Sequence, residues 1–471
     1  MKNLANSSSL IERLCTGLLG LAFSACASTP AYDYQHADTE RALYTRVSEE
    51  RATQRVQQLA ALGPRMGGTA SGEQAADYLL RQFTAYGLQT QIIEDSPLLS
   101  HAEHTWHVTA TSAAGEVLAL ERAWPYGFSP GSKGSATLVL EEEAGKVLLI
   151  DDLERGTTSS AAVILVDGNV TEGGEYPRVV HLRSDVPTQP VFGISTAEGD
   201  WLRERFEAGV TLEWELNATI VEASPKTVVA RIPAADPSSR GYFLFCAHGD
   251  SDAGGPGAND NGSGEAIVLE IATAWATAIG AKRIPAPPRE LRFAIWGSEI
   301  HSTQDYLNRT MEGEQTILGV LNYDQSGFGS TADLLYLEPD DLPANESLVR
   351  AMLEVLEQYA GTPGFPERWA TNRSQGGTDS YVFSESDLFK DEQRPALTLY
   401  ASAWDRPDTL PRTPGMPGES WNDGDEVHID YDVYYHSAGD TAANTTDLEP
   451  FNMGWSARVG LLGSLRWLSQ L

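Results

Sequence analysis

The stretch Gly241-Tyr-Phe-Leu-Phe-Cys-Ala-His248-Gly-Asp250 decides how this chain is read. The run from Tyr242 to Ala247 is apolar without a break, which predicts a strand buried on both faces. It stops on an imidazole and a carboxylate. A Gly-rich loop then leads to Gly257-Ala-Asn-Asp260-Asn-Gly-Ser-Gly264, which opens a helix over 264–278. Strands over 291–296 and 319–323 follow, ending in Gly297-Ser-Glu299 and in Asp324. A strand over 227–232, a helix over 348–359 and a strand over 396–400 complete the alternation. Strands alternating with helices imply an α/β fold with helices on both faces of its sheet. Functional loops in such sheets gather at the carboxyl ends of strands.

Moving outward, the texture changes twice. Upstream, Val56, Leu59 and Leu62 carry a helical period that starts near Arg51. A second helix is expected from Ser71-Gly-Glu-Gln74, which has the form of a capping box, through Ala75, Ala76, Leu79, Leu80 and Phe83 to a stop at Gly87. Between 101 and 223, short β-branched runs such as 136–140, 146–150 and 162–166 are broken by Gly, Pro and acidic turns. No metal-type cluster of side chains lies there, and this span is expected to be a small β-rich domain inserted into the main one. The expected organisation is therefore a leader over 1–26, a linker over 27–50, the main domain over 51–100 and 224–471, and the insert over 101–223.

The chain has 471 residues, too many for one ordinary core. Its 33 basic against 66 acidic side chains give a net charge of −33, which argues against a nucleic-acid partner. The apolar run 14–25 is short for a membrane span and ends in Phe23-Ser24-Ala25-Cys26, the form of a bacterial lipoprotein signal. Export is expected, to the outer membrane through lipid on Cys26 or to the periplasm after simple cleavage. Cys15 leaves with the leader, so Cys246 alone remains and no internal disulfide is possible. Its place in an apolar run marks it as inert core. Oligomeric state is not legible in the sequence.

Taken singly, each polar strand end has an ordinary explanation. A His or Asp there commonly serves a loop hydrogen bond, and Asp260 in a Gly/Asn loop suits a turn or cap. Together with Tyr435-His436-Ser-Ala-Gly-Asp440-Thr441, however, two imidazoles and three carboxylates fall at ends that one sheet would bring together. Imidazole nitrogen and carboxylate oxygen are the donors zinc takes, and one carboxylate can bridge two ions.

These motifs, in this order, resemble the di-zinc exopeptidases that include bacterial leucyl aminopeptidases, glutamate carboxypeptidase and glutaminyl cyclase. Leu62-Gly-Pro-Arg65 is similar to that family's amino-terminal segment, and the insert to its protease-associated domain. The resemblance implies a mixed sheet of the zinc-dependent exopeptidase, phosphorylase/hydrolase-like type. It further implies two zinc ions: His248 and Asp324 at one, His436 at the other, and Asp260 between them. Asp250 would orient His248, and Asp440 would support the segment around His436. Glu299 is the candidate base that activates water against a peptide carbonyl, in an enzyme trimming peptide ends and more suited to amino than carboxyl termini.

One departure matters. The family places two adjacent glutamates after this strand, a base and then a ligand, whereas here Glu299 precedes Ile300. Glu299 remains the base with a weak second site or one that borrows His301, or slides into the ligand role, or only one ion binds. In Gly376-Gly-Thr-Asp379-Ser380, similar to the family's Ser/Thr-Asp-His segment, Ser380 replaces the His, and Asp379 is expected in the site wall. Trp404, Trp421 and His428, in the loop over 401–435, suit either a pocket lining or a surface flap. A non-catalytic binding protein on the same scaffold, and a glutaminyl-cyclase-like enzyme, are the alternative functions.

Overall fold

The structure is a computed structural model that describes residues 37–153, 159–182, 189–251, 255–311, 316–329, 334–339, 343–371, 378–384, 394–401 and 432–471. The leader with Cys15 and Cys26, and Trp404, Trp421 and His428, lie outside them. A mixed eight-stranded sheet runs in the order Gln89–Glu94, Lys226–Ile232, Glu290–Trp296, Tyr242–His248, Ile317–Tyr323, Ala396–Tyr400, Leu334–Pro339, Arg368–Thr371. Its four central strands, from Glu290–Trp296 to Ala396–Tyr400, are parallel, with antiparallel neighbours on either side.

Every residue of Tyr242–His248 is buried, and the period of two divides them between two helical layers. Tyr242, Leu244 and Cys246 join the apolar cluster of Tyr306, Leu307, Val382 and Phe383, from the helices His301–Met311 and Asp379–Ser384. Phe243 meets Trp467 of the helix Phe451–Leu468, and Phe245 stacks on Phe293, which meets Phe83 of Ala70–Ala85. Burying each such ring stabilises the fold by about 1.5–3 kcal/mol. Helices thus cover both faces, and the parallel strands deliver their carboxyl ends to one edge.

The helix Gly264–Gly280 is buried from Gly264 through Trp275, as a helix apolar on all sides must be. It also packs close: a Cβ on Gly264 would lie 2.3 Å from the Tyr323 carbonyl oxygen. Of its two buried charged residues, Glu265 and Glu270, the latter accepts from Arg51 and Arg55 of the helix Glu49–Ala60.

Several expectations change in detail. The linker expected over 27–50 contains a packed helix, Ala37–Tyr44, whose buried Glu40 pairs with Arg466 at 2.7 Å. That pair joins distant segments, so no local pattern announces it. The capping box at Ser71 is absent: Thr69 caps the Ala70–Ala85 helix by accepting from the Gly72 N–H, and Ser71 donates to the Pro64 carbonyl. Gly87, at φ 77°, is the stop.

A second eight-stranded sheet is built wholly from residues 98–223. Two long strands, Leu98–Ser112 and Val210–Ala223, pair antiparallel from Leu98 opposite Ala223 to Ser112 opposite Val210. Entry and exit are therefore neighbours. It has its own apolar cluster around Val108, Leu138, Val147, Leu165, Phe192 and Leu212. Among the described residues no helix is long and apolar enough to cross a membrane.

Candidate metal centre

His248 closes its strand, and its ring is fixed from behind. Nδ1 lies 3.0 Å from the Asp250 carbonyl oxygen and 3.2 Å from Asp250 Oδ1. An imidazole engaged this way at Nδ1 presents Nε2 as a donor of its lone pair. Nε2 lies 3.4 Å from Asp260 Oδ1 and 3.5 Å from Asp324 Oδ1. The other oxygen of Asp260, Oδ2, is 3.3 Å from His436 Nε2. One carboxylate therefore reaches two imidazoles.

These separations exceed the usual N–H···O hydrogen bond. They match the edge of a tetrahedron with bonds of 2.0–2.2 Å to its centre, about 3.4 Å, which is the spacing of nitrogen and oxygen donors around zinc. His248, Asp260 and Asp324 are all buried and offer atoms within 4.8 Å of one another. Asp324 Oδ2 accepts from Thr378 Oγ1 at 2.8 Å, whereas Oδ1, the oxygen facing His248, is buried with no hydrogen-bond partner among the described residues. Leaving such a group unsatisfied costs about 1–3 kcal/mol, more when it is charged, and a bound cation removes that cost. The residues present fit a divalent metal.

Asp260 sits in an irregular turn, Ala258–Ser263, with the non-helical angles φ −109° and ψ 92°. The turn is entered through Gly257 at φ 61°, where a Cβ would lie 2.4 Å from that of Ser251; no other residue fits. Asp440 holds the turn by accepting from the Asn259 N–H at 2.8 Å and the Asp260 N–H at 3.0 Å. Expected to support the segment around His436, Asp440 also fixes the backbone at Asp260. Asp432, which the sequence reading missed, accepts from Asn259 Nδ2 at 2.6 Å. Its only sequence signal, one acid in the acidic run 423–432, is that of a solvated surface.

Arg65 ties the metal loops together. Its guanidinium, fully buried, donates to the carbonyls of Gly249, Pro256 and Gly257 and to Glu265 Oε1. The loop carrying His248 and Asp250 and the loop leading to Asp260 are thus held by one cation. Removing it would strand a buried Glu265, a change that typically costs about 3–5 kcal/mol.

Glu299 follows the Glu290–Trp296 strand, and its N–H donates to Asp250 Oδ1 at 3.0 Å. Asp250 therefore steadies both the imidazole and the Glu299 turn. The next residue, Ile300, has φ 59° and packs against the apolar cluster of Tyr306, Val382 and Phe383. Asp379, expected in the site wall, underlies this turn: Oδ1 accepts from the Ile300 N–H and Thr303 Oγ1. His301 Nε2 lies 2.8 Å from the Ser96 carbonyl oxygen, so the ring considered for a weak second site is engaged there. Ser380 Oγ is 2.7 Å from Thr398 Oγ1.

Crowded acids and burial shift the titration of this centre. Desolvation pushes Glu299 well above the usual glutamate range; nearby Asp324, Asp379 and Asp260 add to this while His248 opposes it. Burial alone would lower His248, but Glu299, Asp250, Asp260 and Asp324 outweigh it and raise the ring well above its ordinary value. Burial also raises Asp379 and Asp432 to about 6 each.

Fold and centre together define an α/β protein with a buried His/Asp/Asp group that could hold a metal ion. Peptidase family M28 matches residues 227–456, just under half of the chain. Leupeptin-inactivating enzyme 1 of Streptomyces exfoliatus is 30% identical over 229 residues, covering 48% of this chain and 45% of that protein, less than half its length. A probable leucine aminopeptidase 2 of Arthroderma benhamiae is 26% identical over 391 residues, 74% of this chain and 69% of that one. A zinc aminopeptidase from Bacillus subtilis shares the fold, with a TM-score of 0.58 and 18% identity over 89% of this chain and 95% of its own.

Proposed function

We propose that this chain is a zinc-dependent exopeptidase that removes residues from the amino termini of peptides. The observation that carries the reading is the Asp260 carboxylate set between His248 and His436 at 3.3–3.4 Å. His248, Asp324 and one oxygen of Asp260 would hold one zinc, and His436 with the other oxygen a second. Ile300 contributes no donor, so the two positions are unequal: three protein donors against two. Bound zinc supplies a Lewis acid for the scissile carbonyl and acidifies water.

Glu299 takes the proton of the attacking water and passes it to the leaving amine. Burial raises its carboxyl, and bound cations nearby would pull it back down. Asp250 and Asp379 keep that carboxyl in place by holding the N–H groups of Glu299 and Ile300. The 98–223 sheet corresponds in this reading to a protease-associated insert. The name of the Arthroderma benhamiae relative supports aminopeptidase over carboxypeptidase action.

The test is a set of peptides with free or blocked termini, assayed with and without chelator. Free amino termini should be trimmed, amino-blocked peptides spared, and activity lost on chelation and regained with zinc. Protein that takes up no metal even from added zinc would end the enzyme reading. One observation favours a non-catalytic binder, the loss of the second glutamate at Ile300, and such a protein would bind zinc and peptide without turnover.

We also infer export with lipid on Cys26, from the signal-like Phe23-Ser24-Ala25-Cys26. Cys26→Ser is expected to move the protein from the membrane fraction to the soluble one. Unchanged membrane association of that variant would refute the anchor.

A further inference from the structure

We infer that the 98–223 sheet positions His436, so that the second, two-donor metal position depends on a strut from that sheet. This rests on the reading of His436 and Asp260 as metal donors. Two of the donors, His248 and Asp324, are delivered by central strands. His436 has no such support. It lies in a short turn at φ 51°, a left-handed backbone that L side chains keep only when their surroundings hold it.

Those surroundings come from residues 176–179. The Val179 N–H donates to the His436 carbonyl oxygen at 3.0 Å, and Arg178 forms an antiparallel bridge with Ser437. Arg178 Nη2 also donates to the Val433 carbonyl at 3.2 Å, across 255 positions of sequence. Tyr176 meets the Tyr434 ring edge-on at 6.0 Å and lies so close to Gly439 that a Cβ there would be 2.9 Å from its ring. On its far side, the Arg122 guanidinium covers Tyr176 at 4.6 Å.

The strut therefore holds the chain before, at and after His436, while Asp440 of the same segment accepts from the Asp260 N–H. Binding with only two protein donors leaves little to compensate a displaced imidazole. Losing the strut should weaken the second position and spare the first, two of whose three donors, His248 and Asp324, stand at strand ends. By linkage, filling the second position should in turn tighten the contact between residues 176–179 and 433–439.

Arg178 and Tyr176 are positioning residues, and zinc stoichiometry reads them out independently of turnover. Metal-stripped full-length wild type, Arg178→Ala, Arg178→Lys and Tyr176→Ala would be titrated with zinc against a chromophoric chelator. Wild type should show two steps. Arg178→Ala and Tyr176→Ala should keep the first and weaken the second by about 10- to 100-fold, the usual effect of groups behind metal ligands, with Arg178→Lys in between. Two unchanged steps in both alanine variants would overturn the strut and leave the metal reading standing. Simultaneous loss of both steps in both variants would overturn it too, because the effect would not be selective. A wild type that binds one zinc or none would instead remove the second position itself, and the strut with it.

Discussion

Glu299→Gln is expected to keep its zinc and lose about 10²- to 10⁴-fold in kcat, the usual contribution of a general base. The amide keeps nearly the same shape but can no longer accept a proton. The N–H that anchors the turn to Asp250 belongs to the backbone and survives the change, so the geometry of His248 should hold. KM should move little, since Glu299 acts on the water more than on the substrate. The alternative assignment has a different signature. Were Glu299 a ligand, the variant would bind one zinc fewer, and metal analysis alongside kinetics separates the two.

The second large effect concerns stability. Stripping zinc should lower the melting temperature by several degrees at about pH 8 and by much less at about pH 5.5. Without metal, Glu299, Asp379, Asp432 and Asp440 all have pKa values raised by burial. A carboxyl raised above its unfolded value contributes stability that is present below the unfolded pKa and lost as pH climbs through the folded one. His248, also raised, has the same sign and loses its contribution above about pH 6.5. Asp260 is depressed, since the pull of His248 and His436 exceeds the upward push of burial. Its contribution is lost only in strong acid, outside the window.

The raised groups of the centre thus weaken the metal-free fold as pH rises. Zinc replaces the missing positive charge, and a ligand at a thousandfold its Kd adds about 4 kcal/mol. Calorimetry of loaded and stripped protein at both pH values checks this. A difference in melting temperature that is constant or shrinks with rising pH would contradict the clustered charges.

The failure of individual expectations follows a pattern. Ala37–Tyr44 reads as linker because its buried acid, Glu40, finds its counter-ion 426 positions away. The buried helix Phe451–Leu468 carries Gly454, Gly460 and Gly463, and the sequence reading passed over it. Asp379 looks like site wall beside Ser380, yet supports the Glu299 turn from below. Ile300 leaves open whether a ligand was lost or displaced. Its packing against Val382 and Phe383 shows that its side chain serves the core.

What the sequence determined by itself was the sheet, its strand ends and their chemistry. An apolar run ending in His248, a glycine-rich turn at Asp260 and strands ending near Glu299 and Asp324 are local patterns, each set by burial period and turn chemistry. Only the tertiary structure decided which groups stand behind those side chains. Arg65 spans the two metal loops, Asp440 holds the Asp260 peptide, and Arg178, in a connection between two strands of the other sheet, reaches the His436 segment. Each of these is a polar contact across a long sequence separation, and such pairings exist only once distant segments have been packed together.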